Sequence, residues 1–545
     1  MASNLYSPSA QNLRPPLYDA IVVPATGVPT QIEATWRTNL TLLLQAISPI
    51  LVSVSGGDAT LGLKQAIGQA IGQGGGAVVL PAGSYTISSP IIIAANSPPI
   101  WIIGQGPATI LTRSATMPAG MGMFDISSSY VTLSDFVIDG GTTVSVGLLY
   151  NGGFSTTINI NDPMAPSLTT NTSVWLHGPA TNLSISRVRF QHAGGYSVLL
   201  DATTGNISTV DITQCWIVNN RPTLFGITAG QAIYGSWNGG IFAKGDGRAA
   251  MGSESGIVTD ILVQGCSFAR NTGNCLWTHN YGLNRFNSEI RFSDNSFLDC
   301  GLDGILVAAV SGGAVEGNVM RRIGYLCSDD TSQSVPQWLP NLNATGLDSA
   351  VVKGVNYACN SFMSVNGGMI DLDTHMMGSI TGNICRIPFP DEPEYLEDQI
   401  AITGPTNSGN ASYGLNLAVN YPINEGGSYL DITANTLLNL SSGPMRLYAA
   451  RFCNVIGNVI SIPLAAPIVP VLMGPNGPNS YNRCYGNRIA HNQFADFRTT
   501  ATSVIAEDNS LSGGSDMTSS EINYCFGNII LENASAIEFT PIAGS

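Results

Sequence analysis

Asp371 and Asp373, in Ile370-Asp-Leu-Asp-Thr-His375, place two carboxylates on one face of an extended strand, because side chains alternate along it. Residues i and i+2 stand roughly 6.6–6.8 Å apart. Such a pair suits glycoside hydrolysis, in which one carboxylic acid protonates the leaving oxygen while the other activates water. Separations of about 6.5–9.5 Å favour inversion. Like charges this close favour retention of one proton, and a lysine beside them keeps the other group ionised. The rival chemistry is β-elimination on a uronic-acid polymer. There Lys353 or Arg446 serves as base or carboxylate clamp, and the aspartates hold a calcium ion. His375 continues the alternation and is expected to point outward at the strand end, as a bystander or as a proton donor or substrate contact.

The elements that must position these groups follow from a repeat. Gly precedes Asn318, Asn383, Asn458, Asn487 and Asn528, and Asn295, Asn360 and Asn435 share the same Asn-x-apolar core. Asn295 and Asn318, Asn360 and Asn383, and Asn435 and Asn458 are each 23 residues apart. A period of 20–30 residues marks a solenoid, in which each coil buries its apolar face against its neighbours. The asparagines read as structural, their amides stacking rung on rung at a turn that tolerates left-handed backbone.

The same interval serves as a ruler. Ile305, Ile370 and Met445 each stand 13 residues before an asparagine of the repeat, which predicts one inward column. Counting eight on from Phe190, Phe268 and Phe297 adds Val198, Leu276 and again Ile305, and Ile241 fits by pattern. Matching Gly301-Leu-Asp-Gly304 to Gly346-Leu-Asp-Ser349 adds Ala350 and leaves Asp303 and Asp348 as turn-capping residues. Alternation then gives two outward columns. One reads Leu199, Phe242, Trp277, Leu306, Val351, Asp371, Arg446, and the other Asp201, Lys244, His279, Ala308, Lys353, Asp373, Tyr448. Lys353 is thus expected one rung from the aspartates. Trp277 and Tyr448 are expected to stack on sugar rings, with His279, Arg446, Lys244 and Asp201 holding hydroxyls or carboxylates. A solvated face whose charges block association is the bland alternative.

Bulk properties agree with a long, turn-rich β solenoid. The chain has 545 residues, 61 of them Gly, and only 10% are charged. Net charge is −15, from 21 basic and 36 acidic residues. Nucleic acid and anionic membrane are therefore not expected partners, since both need a basic surface. The first residues lack a basic region followed by an apolar run, so no Sec signal is expected. The apolar stretch 40–54 carries Gln45, Ser48 and Pro49 and is too short to span a bilayer. The ten cysteines include no Cys-x-x-Cys pair, which argues against zinc or redox sites and for a reduced interior.

Near the N-terminus, Thr30-x-x-Glu33 opens a helix whose seam is Ile32, Trp36, Leu40, Leu43 and Ile47, either packed on the solenoid end or bundled in a trimer. Residues 59–71 predict a second helix with Leu63, Ala66, Ile67, Ala70 and Ile71 on one face. After it come Gly74-Gly-Gly-Ala-Val-Val-Leu80, Pro81-Ala-Gly83, Tyr85-Thr-Ile87, Pro90-Ile-Ile-Ile93 and Ile100-Trp-Ile-Ile103. This order resembles the start of the pectin-lyase-like right-handed parallel β-helices, most of all bacteriophage tailspikes. The resemblance implies an all-β right-handed parallel β-helix over 51–530, a virion-docking and trimerisation segment over 1–50, and a tail over 531–545. It further implies a homotrimer on a phage tail, bound to other tail proteins through 1–50, which binds and cuts bacterial surface polysaccharide. No cofactor is implied, save calcium for a lyase. Loop insertions are expected near 139–180, 219–238, 324–345, 386–430 and 495–520, the fourth carrying the acidic run 391–398. A non-catalytic fibre and a free sugar-active enzyme are the other readings.

Overall fold

The computed structural model describes residues 49–540 except 119–120, 142–171, 194, 221–238, 246–255, 272, 281–285, 328–337, 341–343, 366–367, 387–399, 404–427, 439–444, 449, 463–468, 475–483, 499–502, 508–522 and 532–536. The expected helix at 30–47 and the acidic run 391–398 lie outside these residues, as do nearly all of the docking segment and much of the expected insertions.

Helix Thr60–Gly72 closes the first coil, burying Leu63, Ala66, Ile67 and Ala70 against the strands that follow. From there the chain coils through parallel strands that form a 26-stranded and a 14-stranded sheet. One coil shows the pattern. Leu276–His279 makes a first row, Asn287–Ser293 a second and Ser296–Cys300 a third. In Ile305–Glu316, Leu347–Ala358 and Ile370–Thr381 the first two rows run together as one bent strand of 12 residues. Successive parallel strands linked this way coil with right-handed connections. The last strand of the first row, Ile537–Thr540, lies beyond residue 530 and pairs with Ser503–Glu507.

Apolar columns fill the interior. In the first row Val174, Val198, Ile241, Leu276, Ile305, Leu347 and Ile370 stack rung on rung, all buried. In the third row Phe268 and Phe297 stack at 4.8 Å, continuing to Met320 and Phe362. Each fully buried side chain of this kind contributes about 1.5–3 kcal/mol, which explains why the coils hold together along their axis.

The asparagine ladder is continuous. The backbone N–H of Asn295 donates to the Asn318 Oδ1, and the same bond repeats from Asn318 to Asn360, Asn383, Asn435, Asn458, Asn492 and Asn528, at 2.9–3.1 Å. Each amide nitrogen also donates to a carbonyl of the preceding coil, as Asn383 Nδ2 does to Tyr357 O. The residue before each asparagine is left-handed, from Asp294 (φ 57°) and Gly317 (φ 68°) to Gly527 (φ 66°), which is the reason for Gly at that place. Asn487 belongs elsewhere, despite its preceding Gly. It accepts from Cys453 N and donates its own N–H to Asn523, in a shorter second ladder.

Candidate functional site

The outer face of the first row carries the site. Its first column reads Trp175, Leu199, Phe242, Trp277, Leu306, Asp348, Asp371, Ala401, Arg446, Leu472. The second passes through His177, Asp201, Lys244 and His279, and further along through Ala308, Ala350, Asp373, Thr403 and Tyr448. Asp371 and Arg446 share the expected column but stand two rungs apart, where the spacing alone put them on consecutive rungs. The insertion before Arg446 contributes its own rung, Ile400–Thr403.

Two expectations need correction. Lys353 is not beside the aspartates. The match of Gly346-Leu-Asp to Gly301-Leu-Asp is out of register, because Gly304 N donates to Thr345 O and Ile305 N to Gly346 O. Leu347 thus joins the inward column in place of Ala350, Asp348 takes the outward place expected for Val351, and Ala350 the place expected for Lys353. Lys353 lies past the corner at Val351 (φ 59°), opposite Ser311 and Met376, exposed on the face of the second row. His375 does not point outward either. Positions 309 and 351 are left-handed corners (φ 52° and 59°) at which the alternation restarts, and His375 is the second-row partner of Val352 inside the coil. The imidazole is fully buried and edge-on to Tyr357, ring centroids 5.5 Å apart. Burial drives its pKa down to about 3.

The structure instead brings in Asp348, which the sequence reading had assigned to a turn. It sits directly opposite Asp371 on the neighbouring rung, about 4.8 Å away through the backbone spacing. Both are half-buried. Ser349 and Tyr357 are buried in the coil interior nearby, and burial, countered by the Ser349 hydroxyl and reinforced by the Asp348 carboxylate, pushes the Tyr357 phenol up. The turn role falls to Asp303, which is buried and accepts from Thr345 N at 2.8 Å. Burial pushes its carboxyl up to about 7.

From Leu199 to Leu306 the same face is packed shut, while Trp175 and His177 on the rung before are half-buried. Trp277 is 7% exposed, its ring stacked 4.3 Å from Phe242 in a patch with Tyr196, Leu199 and Leu306. His279 is fully buried and edge-on to Trp277. Lys244 Nζ lies 3.4 Å from Asp201 Oδ2, both buried. Burial raises the Asp201 carboxyl, but the Lys244 charge and the Thr203 hydroxyl and N–H outweigh it, leaving it below its usual value. His177 Nε2 meets Asp125 Oδ1 at 3.1 Å. The face thus divides into a closed aromatic and ionic half, and a half from Asp348 onward whose carboxylates are partly open to solvent. Among the described residues no group of three or more His, Cys, Asp or Glu is arranged to hold a metal.

No protein-family model matches the chain, and neither does any curated protein sequence. Solved structures do. The N-terminal fragment of gene product 12 of bacteriophage Phi29 aligns at 10% identity, covering 92% of this chain and 74% of that one, with a TM-score of 0.54. The catalytic unit of a GH87 alpha-1,3-glucanase from Streptomyces thermodiastaticus aligns at 14% identity over 91% and 69%, TM-score 0.40. The Dettilon tailspike protein aligns at 12% over 90% and 69%, TM-score 0.38. No helix of the described residues is long and apolar enough to cross a membrane. The continuous parallel rows, the helix on the first coil and the likeness to the Phi29 fragment agree that the chain has a right-handed parallel β-helix fold.

Proposed function

We propose that this protein is a polysaccharide depolymerase of the bacteriophage tailspike kind, cutting a bacterial surface glycan by glycoside hydrolysis. The observation that carries the reading is the registered pair Asp348 and Asp371, half-buried on neighbouring rungs of an outer face that is packed shut from Leu199 to Leu306. Asp373 lies two residues along the same strand, its side chain outside the described residues. Two carboxyls one rung apart disfavour simultaneous ionisation, so one keeps a proton for the leaving oxygen. The ionised partner then activates water. Arg446, two rungs on, faces a bound glycan and suits an acidic or hydroxyl-rich sugar. Lys353 lies on another face, which removes its part in a lyase mechanism and leaves Arg446 as the base or clamp of a β-elimination. Docking to a virion through 1–50 and assembly as a homotrimer belong to the same proposal.

The test is product formation from purified capsular or lipopolysaccharide glycan. Reducing ends without an ultraviolet-absorbing unsaturated uronate are expected. Asp348→Asn and Asp371→Asn should each reduce turnover about 10²–10⁴-fold, and Lys353→Ala should leave it within a factor of two. Full activity in both Asn variants would refute the assignment.

A further inference from the structure

The outer face of the third row differs from every other surface of the coil. Its first outward column reads Trp216, Ser267, Ser296, Val319, Ser361, Ile384, Thr436, Val459, Gln493, Ile529. Val319, Ile384 and Ile529 are 43%, 44% and 51% exposed, and Trp216 and Val459 are exposed as well. In the neighbouring column Leu298 and Leu531 are also exposed. Aliphatic side chains there alternate with Ser, Thr or Gln on successive rungs, so the knobs recur about every 9.6 Å. From Ser267 onward, these two columns hold no carboxylate among the described residues, and their charges are Arg321 and Arg386.

A parallel sheet that is buried on both faces in ordinary α/β proteins here leaves one face apolar and open, over nine rung steps or roughly 43 Å. With two columns and their side chains about 15 Å wide, the stripe offers on the order of 650 Å². A stable interface takes about 800 Å² per partner. Charge selects the occupant. The chain carries −15 overall, so two copies repel except where acidic groups are missing, and this face is where they are missing. The row faces away from Asp348 and Asp371, so pairing there leaves the groove open.

We infer that this stripe is a self-association surface, on which a second copy of the same chain docks through Val319, Ile384, Val459 and Ile529. The proposal names the surface for the oligomer that the functional reading assumes, but it stands on exposure and charge and not on that reading. It is tested by sedimentation equilibrium or light scattering on the full chain at micromolar concentration. Wild type is expected to run as an oligomer. The double variant Ile384→Glu/Val459→Glu should shift to the monomer mass with unchanged far-ultraviolet circular dichroism. Ile529→Lys should weaken association at least tenfold, and Asn356→Glu on the second-row face should leave the mass unaltered. A monomeric wild type overturns the inference, as does a folded double variant of unchanged mass. Loss of turnover in Asp371→Asn with oligomeric mass retained separates this outcome from that of the proposed chemistry.

Discussion

Replacing His375 by Met separates a buried core imidazole from a catalytic one. The imidazole is fully buried between Tyr357 and the second-row backbone, and its pKa is depressed by burial to about 3, against about 6.5 in an unfolded chain. The sign follows directly. The unfolded state binds the proton first, so the native state is undisturbed above about pH 6.5 and loses stability as pH falls from there toward 3. The slope is about 1.4 kcal/mol per pH unit, which by pH 5 amounts to about 2 kcal/mol lost relative to pH 7. Methionine fills a similar volume and does not titrate. Urea unfolding followed by circular dichroism, at pH 7 and pH 5, should show wild type losing about 2 kcal/mol more than His375→Met over that interval. Glycan turnover at pH 7 should stay within a factor of two or three. Parallel pH dependences in the two proteins would refute the burial argument. A loss of turnover of 10²-fold or more with intact stability would restore the histidine to the chemistry.

Three further outcomes follow from the ladders and the groove. Asn383→Ala leaves the buried N–H of Asn360 and the Tyr357 carbonyl without their bonds, and should lower stability by about 2–4 kcal/mol in the same urea assay. Gly457→Asn keeps a left-handed backbone (φ 69°) with no atom within 4 Å of the new Cβ, and should cost about 1 kcal/mol or less. Gly346→Ala, by contrast, drives a Cβ to 2.6 Å from Met369 O beside the carboxylate rungs, and should reduce both expression and turnover.

The sequence by itself determined the period, the class of fold and most of the stacking. Those features are local: a left-handed turn residue, an asparagine and an apolar run recur at fixed spacing because every coil solves the same packing problem. The 13-residue count back from Asn360 also lands on Leu347, so Asp348 was legible, had the count been preferred to the Gly-Leu-Asp likeness. Tertiary structure alone decided two things. The corner at 309 and 351 restarts the alternation, and no periodicity in one strand announces a corner, so His375 turned inward. The aromatic and ionic half of the outer face is buried, so Trp277, His279, Lys244 and Asp201 pack on one another where alternation had placed them in an open groove. Burial depends on what the rest of the chain lays over a strand, and alternation reports only which side of the strand a residue takes.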